Sequence, residues 1–220
     1  AKSLKIDVII TDHHVTDEKT PDAFSIVHST KICGSAVAWY LGTILEESSN
    51  KRHLSRHLEL VALATVADVM QLTNFNRNIL MFGIKKLRKT ERPGLLELYK
   101  LAGLTPENIG VYEIGHVIAP RINAMGRIES AMDSLRFLCT PNKSRAKELA
   151  KKLHLMNLER QKFTQDGILK AKNLIGKKSH KLIFLSDESY KPGVIGLISG
   201  KLTEEFYKPS IVVSVGEEFS

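Results

Sequence analysis

The chain has 220 residues, 43% of them hydrophobic and 25% charged, which is the balance of a folded globular protein with enough apolar material for one large domain or two small ones. Disordered, collagenous and repeat architectures are excluded, and no apolar run approaches the roughly 18 residues of a membrane span. The net charge of +8 is concentrated, because residues 141–181 carry 12 Lys or Arg against 3 Asp or Glu while the rest of the chain is close to neutral. No signal peptide opens the chain, so it reads as a soluble, cytosolic protein. Starting at Ala1 and reaching a strand within five residues, it also reads as a piece of a longer one. Cys33 and Cys139 lack any metal-ligand or disulfide-framework spacing and read as buried small apolar residues.

In chain order, Leu4 to Ile10 (LKIDVII) is short, apolar and β-branched, the pattern of a buried parallel strand. Its C-terminal end delivers Asp12, His13 and His14 to the crevice where open α/β sheets bind ligands. A loop with Pro21 leads to a helix over 33–47, a buried helix over 57–69, a third over 75–89 and a short fourth over 92–104 that stops at Gly103. HVIAPRINAMGRI (116–128) reads as irregular because of Pro120 and Gly126. From Pro141 to about Ile175, Leu149, Leu153, Met156 and Phe163 recur on one face of a long basic amphipathic helix. KLIFLS (181–186), GVIGLISGKLTEEF (193–206) and SIVVS (210–214) close the chain as strand, helix and strand, a βαβ unit.

Four stretches can carry chemistry. Three ligating groups in a row, Asp12, His13 and His14, are hard to explain by packing, although a capped loop with two exposed histidines accounts for them as well. Asp68 follows the apolar run LVALATVA, where a carboxylate is costly unless it is paired, bound to metal or used as a cap. Arg121, Asn123 and Arg127 in APRINAMGR suit bidentate phosphate contacts or structural ion pairs. In KPGVIGLISGKL, Gly193 and Gly196 open a helix bearing Ser199 and Lys201, either to receive an anion or to allow close helix–strand packing. Tyr190, just ahead of that helix, reads as a base-stacking residue or as a core or rim residue.

The order VIITDHHV (8–15), ALATVADVMQL (62–72), IAPRINAMGRI (118–128) and GVIGLISGKL (193–202) resembles the DHH phosphoesterase superfamily, in its RecJ exonuclease branch, over nearly the whole chain. The resemblance implies an α/β fold of two lobes. Residues 1–110 would be the C-terminal part of a parallel-sheet DHH domain, 111–178 a helical connector, and 179–220 the start of a DHHA1 α/β domain. It implies 5′-to-3′ hydrolysis of single-stranded DNA with two Mn²⁺ or Mg²⁺ ions, in DNA repair and recombination. His13 and Asp68 would ligate metal, His14 would approach the scissile phosphate or a metal, and Asp12 would orient the histidines or join the metal shell. Arg121, Asn123 and Arg127 would line the path of the strand, with Ser199 and Lys201 on phosphates beyond the cut. A monomer working with single-strand-binding protein and a helicase is implied too.

The family's upstream Asp motifs lie outside this chain, so the segment alone is expected to be inactive. Gln71, Lys191 and Lys201 stand where the family commonly has Pro, His and Arg. Two rivals remain: a DHH phosphoesterase acting on oligonucleotides or cyclic dinucleotides, against which the basic connector argues, and a non-catalytic DNA-binding scaffold, against which the intact Asp12, His13, His14 and Asp68 argue.

Overall fold

A computed structural model describes residues 1–17, 19–48, 57–176 and 181–216. The basic residues Lys177 and Lys178, and the parts of the expected domain ranges at 177–180 and 217–220, lie outside the described residues. The fold is mixed α/β and divides into two compact units, one of Ala1–Glu91 with Gly103–Ala119, the other of Arg92–Ala102 with Pro120–Ser220.

In the first unit, β1 (Ile9–Asp12) pairs in parallel with β2 (Ser25–His28), setting Asp12 opposite His28. Two expectations are corrected here. The opening strand starts later than Leu4, because a 3-10 turn occupies Lys2–Leu4, and it is exposed: Leu4, Ile6 and Ile9 face solvent. Its partner β2 falls in a stretch read as loop, where SIVH is too short to declare a period. Among the described residues the sheet has these two strands, so β1 has a neighbour on one edge only and part of its apolar face stays uncovered.

Helices α1 (Gly34–Ser48), α2 (Leu58–Ala67) and α3 (Asn74–Arg88) form close to where periodicity puts them. The sequence of α2, LELVALATVA, is apolar nearly all round, and it is accordingly buried between its neighbours, with Leu58, Val61 and Ile79 of α3 in one core with Cys33 and Ala36. Lys85, Lys86 and Arg88 in the last turn of α3 complement its dipole.

In the second unit, α4 (Pro93–Ala102) starts on a proline, whose missing N–H costs nothing in the first turn, and stops before Gly103. Although it lies within the first expected domain range, α4 packs against the long helix of the second unit. The stretch 116–128 is helical rather than irregular: a π-helical segment at the end of the first unit, Glu113–Ile118, runs directly into α5 (Ala119–Ile128). Pro120 would normally break a helix by pressing its ring on the carbonyl four residues back. The wider turn, closed by the Ala119 N–H on the Ile114 carbonyl, accommodates that ring and lets the helix continue.

After α6 (Met132–Cys139) comes α7 (Lys143–Ile175), 33 residues and about 50 Å long at 1.5 Å per residue. Asn142 caps it by accepting from the Arg145 N–H at 2.9 Å. The buried stripe Ala146, Leu149, Ala150 and Leu153 leads to Gly167 and Ala171 further along, as the amphipathic reading requires. Cys139, expected buried, is exposed at the end of α6, whose covered face carries Phe137 instead. Strands β3 (Ile183–Asp187) and β4 (Ser210–Ser214) pair in parallel around α8 (Ile195–Phe206), the predicted βαβ unit. Tyr190 belongs to its core with Val194, Ile198, Leu202 and Val212, at 2% exposure, which rules out base stacking.

Candidate functional site

The parallel register brings the residues after β1 beside those after β2. His28 Nε2 meets the His14 carbonyl at 2.7 Å, which holds the turn that carries both neighbouring imidazoles. Asp12 is bonded to the His14 ring and not to that of His13. One carboxylate oxygen lies 2.8 Å from His14 Nδ1 and the other accepts the His14 backbone N–H at 3.2 Å. The bond to the His14 ring first, then the His13 and His14 backbone N–H groups, hold the Asp12 carboxyl below the usual carboxylate range against the opposing effect of burial. With Nδ1–H donated to Asp12, the Nε2 of His14 carries the lone pair.

His13 turns the other way. Its Nδ1 lies 3.5 Å from Asp68 Oδ2, and its ring sits 4.3 Å from that of His14, tilted by 44°. Gly34, at the start of α1, leaves it room, since a Cβ there would stand 3.2 Å from His13 Cδ2. Asp68 follows the last residue of α2, and Val69 behind it has φ of 53°, a left-handed conformation that strains a β-branched residue. Because Val69 is 88% exposed, packing gives it no reason to be there. The loops on either side are tied by Asn76, which donates to the Lys31 carbonyl at 2.8 Å and to the Gln71 carbonyl at 3.0 Å.

An imidazole nitrogen and a carboxylate oxygen that converge fit a Mn²⁺-type ion, which takes mixed nitrogen and oxygen donors. Two donors alone do not make a metal site, however, and no group of three or more His, Cys, Asp or Glu able to hold a metal occurs among the described residues.

The second unit holds the basic candidates. On α5, Arg121 is partly buried and donates from Nε to His154 Nδ1 of α7 at 3.3 Å. Burial, and then the Arg121 charge, keep the His154 pKa down, so the ring stays a neutral acceptor. Asn123 and Arg127 are exposed, and Arg127 donates to the Gly193 carbonyl at 3.1 Å. Gly193 is a true close approach, since a Cβ there would lie 1.9 Å from the Arg127 carbonyl oxygen. By contrast, a Cβ added at Gly196 or Gly200 would have nothing within 4 Å, so packing does not account for these two. Lys201 is exposed and paired with Glu204 at 3.0 Å. Ser199 gives its proton to the Ser210 carbonyl at 2.6 Å, so a phosphate oxygen arriving there meets a donor already engaged with β4.

Asp12 with His14 and His13 with Asp68 are thus brought together, and the five second-unit candidates divide between α5 and α8. Sequence reasoning missed His28 and His154. Neither has a local signature: His28 acts through the strand register, and His154 is paired with a residue 33 positions away.

The chain is similar to proteins named single-stranded-DNA-specific exonuclease RecJ. With that of Bacillus subtilis it shares 35% identity over 230 residues, covering 99% of this chain and 29% of the relative. With that of Thermus thermophilus the identity is 30%, over 96% of this chain and 32% of the relative. With that of Escherichia coli it is 30%, over 96% and 41%. The chain therefore spans about a third of the length of the curated relatives it matches. Among solved structures, RecJ of Thermus thermophilus in complex with Mn²⁺ superposes with a TM-score of 0.87 at 30% identity, over 95% of this chain and 33% of that one. An exonuclease RecJ bound to manganese gives 0.86 at 29% identity, over 97% and 56%. No family model matches the chain.

Proposed function

We propose, for a chain that is a segment of the RecJ exonuclease type, that it contributes metal-binding and strand-binding residues to hydrolysis of single-stranded DNA from the 5′ end. The convergence of His13 and Asp68 at 3.5 Å, beside a His14 whose tautomer Asp12 dictates, carries this reading. His13 Nδ1 and Asp68 Oδ2 would hold a divalent ion, with the remaining donors coming from outside the described residues. Mn²⁺ or Mg²⁺, when bound, supplies Lewis acidity toward a phosphoryl oxygen.

The chain's own residues do the rest. Asp12 fixes the His14 ring through Nδ1, so that Nε2 can accept a proton or, once protonated, hold a phosphoryl oxygen. Arg121, Asn123 and Arg127 serve backbone phosphates by charge and by hydrogen bonds, contacts that carry no sequence preference. Lys201 adds charge, with more reach than geometry, and Ser199 contributes only by exchanging its bond to Ser210. The basic face of α7 suits a polyanion. No helix among the described residues is long and apolar enough to cross a membrane. We place the protein in the cytoplasm, in DNA repair and recombination, as a monomer alongside single-strand-binding protein and a helicase.

The test uses the intact protein with Mn²⁺ and a single strand labelled at its 5′ or its 3′ end, with duplex as control. Mononucleotide released first from the 5′ label, on single strand only, is the expected result. Binding without cleavage would instead favour a DNA-binding scaffold, and preferential cleavage of dinucleotides a short-oligonucleotide phosphoesterase.

A further inference from the structure

Four cations on α7 are half-buried: Lys152, Arg160, Lys170 and Lys172. Three of them have acids. Lys152 meets Glu129 and Asp133 at 2.8 Å, Lys170 meets Asp187 at 2.6 Å, and Lys172 meets Glu205 at 2.6 Å. Among the described residues Arg160 has none: its Nε is shut off from solvent without a hydrogen-bond partner there, and no carboxylate pairs with it. The charge that bears on it is that of another cation, Arg127, whose guanidinium is anchored on the Gly193 carbonyl at 3.1 Å and likewise lacks an acid among the described residues. One turn earlier on the same helix, Asn157 is 1% exposed and its Oδ1 is unpartnered too.

A desolvated guanidinium within the field of a second one is expensive, because both desolvation and like-charge repulsion disfavour it. Burial first, and the Arg127 charge second, pull the Arg160 pKa down. The arrangement becomes favourable when an anion enters, since two planar forks can share the oxygens of one tetrahedral group. A carboxylate supplies two oxygens to such a pair, whereas a phosphate supplies more and spreads its charge over them.

We propose that Arg160 is a further phosphate-binding residue, and that with Arg127 it holds one phosphate group of a nucleotide or of a strand's backbone. The proposal rests on the single-strand reading given above. It adds to the exposed candidates of α5 a residue of the connector helix itself, so that α7 grips the polyanion at a defined point besides attracting it by overall charge.

Arg160→Gln and Arg160→Lys in the intact protein test this, with chelator present so that nothing is cut. Oligo(dT) binding is measured from low to high salt, and melting with and without thymidine monophosphate. Arg160→Gln should melt no lower than the parent, because an unpaired buried charge has been removed. It should bind oligo(dT) about tenfold more weakly, the loss of one charged hydrogen-bonding contact, with a salt slope smaller by about 0.7. Arg160→Lys should keep the slope and lose part of the affinity, and it serves also if the Gln variant fails to fold. Loss of the thymidine monophosphate effect with oligo(dT) binding intact would identify the phosphate as that of a free nucleotide. Unchanged binding of both ligands in both variants would overturn the proposal, and a lowered melting point with unchanged binding would make Arg160 structural. If the parent itself fails to bind oligo(dT), the single-strand reading falls, and the monophosphate arm alone decides whether the site exists.

Discussion

Gly193 is the most sharply constrained residue of the second unit, and replacing it by Ala tests the packing that presents Arg127. The added Cβ would lie 1.9 Å from the Arg127 carbonyl oxygen, 2.7 Å from its carbonyl carbon and 3.1 Å from its Cα. All three are backbone atoms in the last turn of α5, so no rotamer change relieves the clash and the turn must move by about 1 Å or more to restore ordinary contact. Overpacking of this kind costs about 1–3 kcal/mol. The Arg127 bond to the Gly193 carbonyl, at 3.1 Å and exposed, adds about 0.5–1 kcal/mol when it is lost. At about 3–4 °C per kcal/mol for a unit of this size, the melting temperature should fall by on the order of 10 °C. Gly200→Ala is the control: on the exposed face of α8 with nothing within 4 Å, it should stabilise by about 0.5–1 kcal/mol through helix propensity. Thermal unfolding by circular dichroism reads both variants. Opposite signs are expected, and a neutral Gly193→Ala would refute the close approach of the α5 terminus to the turn before α8.

Three further outcomes follow from the geometry. On the proposed metal-binding reading, Asp68→Ala in the intact protein should abolish Mn²⁺-dependent hydrolysis while leaving most oligo(dT) affinity in place; hydrolysis at the parent's rate would remove Asp68 from the proposed metal site. Val69→Gly should relieve the left-handed strain of a side chain that is 88% exposed, raising stability by about 0.5–1 kcal/mol after the entropy cost of glycine, as read by urea unfolding. Lys170 and Ser189 hold the Asp187 carboxyl at about 2, below its unfolded value of 3.8. A depressed carboxylate stabilises the fold above the unfolded value and ceases to do so as pH falls through the folded one. The melting advantage of the parent over Asp187→Asn should therefore be full above about pH 4 and vanish by about pH 2; an advantage independent of pH would place the effect elsewhere.

The elements most legible in the sequence are those whose pattern is complete within a few residues. KLIFLS and SIVVS are apolar, β-branched runs on either side of an amphipathic helix, and both strands and the helix form where that pattern puts them. The basic helix was readable from its Leu149, Leu153, Met156 and Phe163 spacing. By contrast, the stretch 116–128 carries Pro120 and Gly126, which argue against a helix unless the turn before the proline is widened, and sequence does not announce a π turn. β2 had no period of its own, and only pairing with β1 makes SIVH a strand.

The same division runs through the site. Asp12 and His14 are two residues apart, so their bond is a local event that DHH itself encodes. His13 and Asp68 are joined only by the way α2 returns past the end of β1, and without the family resemblance nothing in either stretch names the other. Arg160 is the extreme case, for in sequence it is one more cation on a helix rich in them, indistinguishable from Lys162 or Lys151. What sets it apart is an absence, a half-buried charge on α7 without, among the described residues, the acid that Lys152, Lys170 and Lys172 each have. A composition or a periodicity records which residues are present; whether a charge has been left without a partner is decided by the elements packed around it. On the proposed single-strand reading, such unbalanced positions bear most directly on binding, because an anion from outside the chain would complete them at no loss of an internal ion pair.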